Sequence, residues 1–361
     1  MQYGFIKVAA AVPTVQVADC QYNLRQMESL IAQAEGQGVE VIVFPELSMT
    51  GYTCQDLFRQ ELLLQASETA IFQLLDFTRK LHVICIIGIP LAVGDLLLNC
   101  AVVIQSGQVM GVIPKTYLPN YSEFYEKRWF SSAQDLRPAE VRIAGNMIRI
   151  SSEPTLFRTS DGVLFGVEIC EDVWAPTPPS NHLALAGAEI IFNLSASDEL
   201  TGKHNYLMSL LQQQSARTIT GYVYASAGFG ESTQDVVYGG NAIICENGSV
   251  IAKGQRFAMS EQLVTAQIDI EKLRGDRRSN TTFTNAQRRM ATEKINIIDM
   301  HSACQRDFVL EREIDPTPFI PKSGEMKEKC DEILNIQAMG LVKRLTHTSC
   351  KRVVVGISGG L

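Results

Sequence analysis

Three stretches of this 361-residue chain carry side chains that could attack a carbonyl: a carboxylate, Glu46, in FPELSMTGY; an ammonium, Lys115, in IPKTYLPNYSEFYEKRWF; and a thiol, Cys170, in GVEICEDVW. Each follows an apolar, β-branched run. Each therefore stands at or just beyond an expected strand end, where a sheet can hold a side chain rigidly beside a cleft. Singly they say little, since a Glu or Lys after a strand is usually solvated and a Cys in an apolar run usually packs in a core. As a set they supply what amide cleavage needs. Amide carbonyls are poor electrophiles, and a thiolate that forms a thioester divides one hard hydrolysis into two easier steps. A thiol with a pKa of about 8.5 needs a base within hydrogen-bond reach to react near neutral pH. The oxyanion then needs a fixed positive charge or N–H, and one lost donor of this kind costs about 3 kcal/mol.

The elements that must position these groups are legible as alternating runs. Segments 5–12, 39–47, 81–90, 99–107 and 108–116 read as strands, with a turn at Ser106-Gly107. Segments 162–170, 188–196, 221–228 and 240–254 continue the count, the last with an Asn247-Gly248 turn pair. Between the first two strands, Leu24, Met27, Leu30, Ile31 and Ala34 share one helical face that ends at glycines. Helical patterns recur at 61–81, 181–187 and 203–220. This number of strands, with helices between them, predicts an α/β chain built as a four-layer α-β-β-α sandwich. From about residue 275 the composition becomes polar and loop-like, and the prolines of PTPFIPKS suggest a linker. The expected organisation is a first domain over 1–275, an extended linker over 276–324, and a helix and strand over 325–361. Met326, Cys330, Ile333, Leu334, Leu341 and Leu345 fall at helical spacing in the last segment, ahead of the strand-like RVVVGISGG.

Taken together, PEL followed by Gly51-Tyr52, Lys115 with Leu118 and Glu123 behind it, and Cys170-Glu171-Asp172-Val173-Trp174 resemble the nitrilase, or carbon-nitrogen hydrolase, superfamily. The resemblance covers roughly residues 4–270. It implies an αββα sandwich with Cys170 as nucleophile, Glu46 as the base that takes the thiol proton and returns one to departing ammonia, and Lys115 as oxyanion stabiliser. By the same analogy the N–H of Glu171 is a second oxyanion donor, and Glu123 is a further glutamate near the nucleophile that orients groups or handles a proton.

Two more features resemble the glutaminase domain of glutamine-dependent NAD synthetases. PNYSEFYEKRWF and NLSASDELTGKH place Tyr121, Ser197 and Lys203 where that family contacts substrate glutamine, with Tyr52 and Glu171 as additions to the pocket. Where some relatives carry Arg, Lys203 keeps the charge but gives up bidentate geometry. The final Ser358, Gly359 and Gly360 resemble the start of an SGG-x-D-S phosphate loop of ATP pyrophosphatases, whose N–H groups cradle phosphate. The resemblance thus implies that a synthetase domain follows in cis, that ammonia passes to an ATP-dependent amidation of deamido-NAD, and that ATP and magnesium belong to that absent domain. The glutaminase step itself needs no cofactor. The alternative is a stand-alone amidase of the same superfamily, acting on an ω-amide, nitrile or N-carbamoyl compound.

Composition narrows the partners. A formal charge of -7, without a run of five like charges, gives no electrostatic footprint for nucleic acid or an anionic membrane. The N-terminus has no secretory pattern, and no apolar run reaches the roughly 18 residues of a membrane span. Nine cysteines without CxxC pairs read as reduced core thiols of a cytoplasmic protein. Five dispersed histidines, His204 and His301 among them, predict no metal site. Superfamily resemblance also implies a homo-oligomer.

Overall fold

The β-branched runs become strands whose alternation assigns each residue to a face. The computed structural model of the chain describes residues 3–290, 294–301, 309–320 and 326–356. They divide into two units, Met1–Glu311 and Arg312–Leu361. The first opens with β1 (Phe5–Val12), α1 (Cys20–Gly36), β2 (Val41–Val43), α2 (Glu61–Thr78), β3 (Ile84–Val93), β4 (Leu96–Gln105) and β5 (Gln108–Pro114). It continues through β6 (Ala139–Ile143), β7 (Asn146–Ile150), β8 (Thr155–Arg158), β9 (Leu164–Ile169), α3 (Pro179–Leu185), β10 (Ile190–Ser195) and α4 (Lys203–Thr218). β11 (Gly221–Ser226), β12 (Ala242–Glu246), β13 (Ser249–Lys253), β14 (Gln262–Asp269), α5 (Ile270–Ser279), α6 (Thr281–Met290) and β15 (Asn296–Asp299) complete it.

Six strands form one sheet in the order β14-β1-β2-β3-β4-β5, and seven form another in the order β13-β12-β11-β10-β9-β8-β15. β1, β2 and β3 run parallel, as do β9, β10 and β11. Alternate residues of each sheet then enter different cores. Val8, Ala10 and Val12 of β1 meet Phe165, Phe192 and Val223 in a layer between the sheets. Ala9 and Ala11 point the other way, onto Met27, Leu30 and Ile31 of α1 and Ile71 and Leu74 of α2. On the far side Ile191, Tyr222 and Ile243 pack on Leu183 of α3 and Leu207 and Leu211 of α4. This is the expected α-β-β-α sandwich. Each buried Leu or Ile of those helix stripes contributes about 1.5–3 kcal/mol, which ties the helices down by packing.

The turns predicted at Ser106-Gly107 and Asn247-Gly248 are present with positive φ at all four residues. The hairpin β6–β7, with Ala144-Gly145 at its turn, and strands β8 and β14 are additional to the strands that the sequence pattern predicts.

The expected linker over 276–324 needs correction, and so does the first-domain limit at 275. Residues 281–290 are helical, 296–299 pair in parallel with β8, and the first unit runs to Glu311. The polar composition of RGDRRSNTTFTNA hides an amphipathic pair of helices. Leu273, Arg277 and Phe283 turn inward while the remaining charges face out. Arg277 is buried because its guanidinium donates to the carbonyl oxygens of Ala188, Thr218 and Ile219, at 2.5, 3.1 and 3.0 Å. Such satisfaction is what allows a charged side chain to leave water.

In the second unit α7 (Met326–Thr348) forms as its spacing predicts. The strand expected after it does not, since 351–356 carry no regular structure. Among the described residues of this unit no second strand is present for the run to pair with. Ser358, Gly359 and Gly360 lie outside the described residues.

Candidate active site

Glu46, Lys115 and Cys170 converge from both sheets. Glu46 follows β2 by three residues, Lys115 is the residue after β5, and Cys170 is the residue after β9. All three leave water almost entirely, at 1, 1 and 4% exposure.

The Glu46 turn depends on Gly88 in the adjoining strand β3. A Cβ there would stand 2.2 Å from the backbone nitrogen of Leu47 and 2.8 Å from the carbonyl oxygen of Pro45. The missing side chain lets the turn lie against the strand, where Met49 donates its N–H to Gly88 O at 3.1 Å. The N–H of Glu46 crosses to the other sheet and donates to Ser195 O at 3.2 Å.

Within the site Lys115 Nζ donates to Glu46 Oε1 at 2.6 Å, and Asn99 Nδ2 donates to the same oxygen at 2.6 Å. Glu46 Oε2 is buried without a hydrogen-bond partner. One carboxylate oxygen is thus fixed and the other stays open. Lys115 also donates to both oxygens of Glu126, at 2.8 and 2.9 Å. Burial alone would favour neutral Lys115, but Glu126 and Glu46 hold its ammonium well above the ordinary lysine range. Burial pushes the Glu126 carboxyl up to about 7 against the pull of Lys115.

Cys170 has φ +46°, a left-handed conformation that is uncommon and costly for a non-glycine residue. It begins a short 3-10 helix, Cys170–Trp174, directly off the strand. Asp172 fixes that turn. Its Oδ2 accepts the N–H of Ile169 at 3.0 Å, and its Oδ1 accepts those of Thr116 and Tyr117 at 3.2 and 2.8 Å, so one buried carboxyl ties the cysteine turn to the lysine loop. The N–H of Cys170 is taken by Asn193 Oδ1 at 3.2 Å. Burial, and after it Glu46, push the Cys170 thiol well above the usual range, while Lys115 acts the other way.

Glu123 is the expectation that fails. The glutamate bonded to Lys115 is Glu126, and Glu123 instead lines a cleft with Tyr52, Phe124, Tyr125 and Tyr238. Segment 119–130 has neither helical nor strand periodicity to fix its phase. A 3-10 turn, Glu126–Arg128, with Glu126 N–H bonded to Pro119 O at 3.1 Å, carries Glu126 inward. The available signal was its place within the aromatic run of FYEKRWF, whose Phe130 is buried against Phe58, ring centroids 4.9 Å apart.

The predicted pocket residues ring this centre as pairs. Tyr52 donates its hydroxyl to Glu126 Oε1 at 2.7 Å, and Tyr121 donates to Glu171 Oε1 at 2.7 Å. Burial raises the Glu171 carboxyl, and the Tyr121 hydroxyl offsets part of that. Ser197 is buried one residue before Asp198, which forms an ion pair with Lys203. The Lys203 ammonium also lies over the rings of Phe124 and Trp174, 5.4 and 5.8 Å from their centroids. Among the described residues no group of three or more His, Cys, Asp or Glu side chains is placed to hold a metal ion. Nor is any helix among them long and apolar enough to cross a membrane.

Two facing sheets thus bring a thiol, a carboxylate and an ammonium together at their strand ends, and comparison with known proteins places that scaffold in a family. The chain belongs to the carbon-nitrogen hydrolase family, whose model matches residues 7–278. It is 37% identical to the glutamine-dependent NAD(+) synthetase of Mycobacterium tuberculosis strain H37Rv, over 100% of this chain and 54% of that protein. The chain spans about half the length of the curated relatives it matches. Among solved structures, a glutamine-dependent NAD(+) synthetase from Cytophaga hutchinsonii superposes with TM-score 0.65 at 25% identity, covering 73% of this chain and 43% of that one. A carbon-nitrogen hydrolase from Helicobacter pylori G27, at 19% identity and TM-score 0.62, shares the fold over 77% of this chain and 94% of its own.

Proposed function

We propose that this chain hydrolyses the side-chain amide of glutamine to glutamate and ammonia through a thioester on Cys170. The observation that carries this reading is Glu46, which has one oxygen fixed by Lys115 and Asn99 and a second buried oxygen open to accept a proton. Cys170 rests as a neutral thiol, because burial and Glu46 disfavour its thiolate. Proton transfer to Glu46 Oε2 therefore accompanies attack of the sulfur on the amide carbon. Charge developing on the carbonyl oxygen meets Lys115 and a backbone N–H. Since Cys170 N–H is already bonded to Asn193, that donor is Glu171 N–H, in the first helical turn, where N–H groups are left for outside partners. Glu46 then delivers its proton to departing ammonia, and water hydrolyses the thioester by the same route.

Glu126 balances the Lys115 charge, and Tyr121, Ser197, Lys203, Tyr52 and Glu171 surround the amino-acid end of the substrate. The long relatives support a further reading, that the ammonia serves an ATP- and magnesium-dependent amidation of deamido-NAD by a synthetase domain in cis. The reduced state of the cysteines among the described residues fits a cytoplasmic setting, and we place the chain there as a homo-oligomer. Glutamate and ammonia release from glutamine is the test. Equimolar release of both products is expected, with none from Cys170→Ala, and normal turnover by that variant would refute the mechanism.

A further inference from the structure

Asp198 has an open hydrogen-bonding valence that the chemical step does not use. It lies past the end of β10, beside Ser197, and its backbone forms a bridge with Tyr238, whose ring meets that of Tyr52 edge-on at 6.0 Å. The residue is 2% exposed. Oδ1 pairs with Lys203, while Oδ2 is buried and unpartnered. A carboxylate oxygen removed from water calls for a donor.

Most neighbouring carboxylates have protein partners, and Glu123 stands on the partly open cleft wall. Glu126 holds Lys115 and Tyr52, and Glu231 accepts both backbone N–H groups of Tyr52 and Thr53. Glu199 accepts from Asn241 and Arg256, and Glu171 from Tyr121. The open oxygen of Glu46 is required by the thiol. A free amino acid presents an ammonium and a carboxylate on one carbon. An ion pair in which each member keeps a free valence can meet that zwitterion with charges crossed, Lys203 toward the carboxylate and Asp198 toward the ammonium.

We propose that Asp198 Oδ2 binds the substrate α-ammonium, which makes the Asp198–Lys203 pair a reader of free α-amino acids and a filter against ω-amides lacking the amino group. This rests on the glutaminase reading above. Lys203 alone would accept any ω-amide with a distal carboxylate, and Asp198 adds the second criterion.

The test compares ammonia release from glutamine and from glutaramate, which has the same amide and carboxylate but no α-amino group, using the full chain and its Asp198→Asn variant. The unsubstituted chain is expected to favour glutamine by on the order of 100-fold or more in kcat/KM. Asp198→Asn should bring the two substrates within about fivefold, chiefly through a higher KM for glutamine, with surviving glutaramate turnover as evidence of an intact fold. Should Asp198→Asn not fold, Asp198→Glu moves the second oxygen while keeping a charge for Lys203, and must also lower the ratio. An unchanged ratio, or equal loss on both substrates, overturns the role of Asp198 while leaving the glutaminase reading intact. Ammonia from neither substrate with the unsubstituted chain overturns both.

Discussion

The proposed reaction centre and the proposed amino-acid pocket are built on different principles. Glu46, Lys115 and Cys170 leave strand ends of two facing sheets, are almost wholly buried, and are fixed by backbone as much as by side chains, through Gly88, Ser195 O and the clamp at Asp172. Tyr121 and Asp198 lie on connecting segments, Glu171 on the short turn after β9 and Lys203 at the start of α4; they hold one another in pairs and include the exposed Tyr121. A reaction shared by many amidases needs reacting atoms placed to within fractions of an ångström, which sheets provide. Choice of substrate can be altered in loops without disturbing that geometry.

If this contrast holds, the largest single losses should come from the sheet-borne centre. Glu46→Gln removes the proton acceptor proposed for the thiol and is expected to lower kcat on the order of a thousandfold, measured as ammonia release at saturating glutamine. Glu126→Gln leaves Lys115 with one counter-charge and should lower kcat by about 100-fold. Glu123→Gln, on the cleft wall, should stay within about twofold, so the pair separates the glutamate that serves the lysine from the one three residues earlier. Gly88→Ala tests the scaffold: with Leu47 backbone in the path of the new Cβ, a loss of about 1–3 kcal/mol or more is expected in urea unfolding, with activity falling alongside.

A smaller effect follows pH. Burial, and after it Glu168, raise the Asp172 carboxyl to about 8, above its unfolded value of about 3.9. A group raised in this way stabilises the fold fully below the unfolded pKa and loses that contribution as pH rises through the folded one. The urea midpoint advantage of the unsubstituted chain over Asp172→Asn should therefore shrink between about pH 4 and pH 8. A growing advantage would mean that the three N–H groups it accepts dominate over burial.

Legibility in the sequence followed the same division. The strand runs, α1, the glycine turns and the sandwich could be read because alternation and helical spacing record which faces are buried. The convergence of Glu46, Lys115 and Cys170 could be read because these residues sit in short segments anchored to those strands. Glu126 could not, because an irregular stretch carries no phase and a three-residue slip changes which glutamate points inward. The helices α5 and α6 were hidden because Arg277 is buried by carbonyl oxygens that sequence spacing does not reveal. Asp198 is hidden for a related reason. It and Lys203 both stand in NLSASDELTGKH, but their pairing and the open oxygen appear only once the loop is folded.

The central claim is a covalent one, and mass spectrometry of the acid-quenched chain during glutamine turnover tests it most directly. A γ-glutamyl group on the peptide containing Cys170, absent from Cys170→Ala, is the predicted result. Continued ammonia release by Cys170→Ala, or an acyl group carried on a different residue, would contradict it.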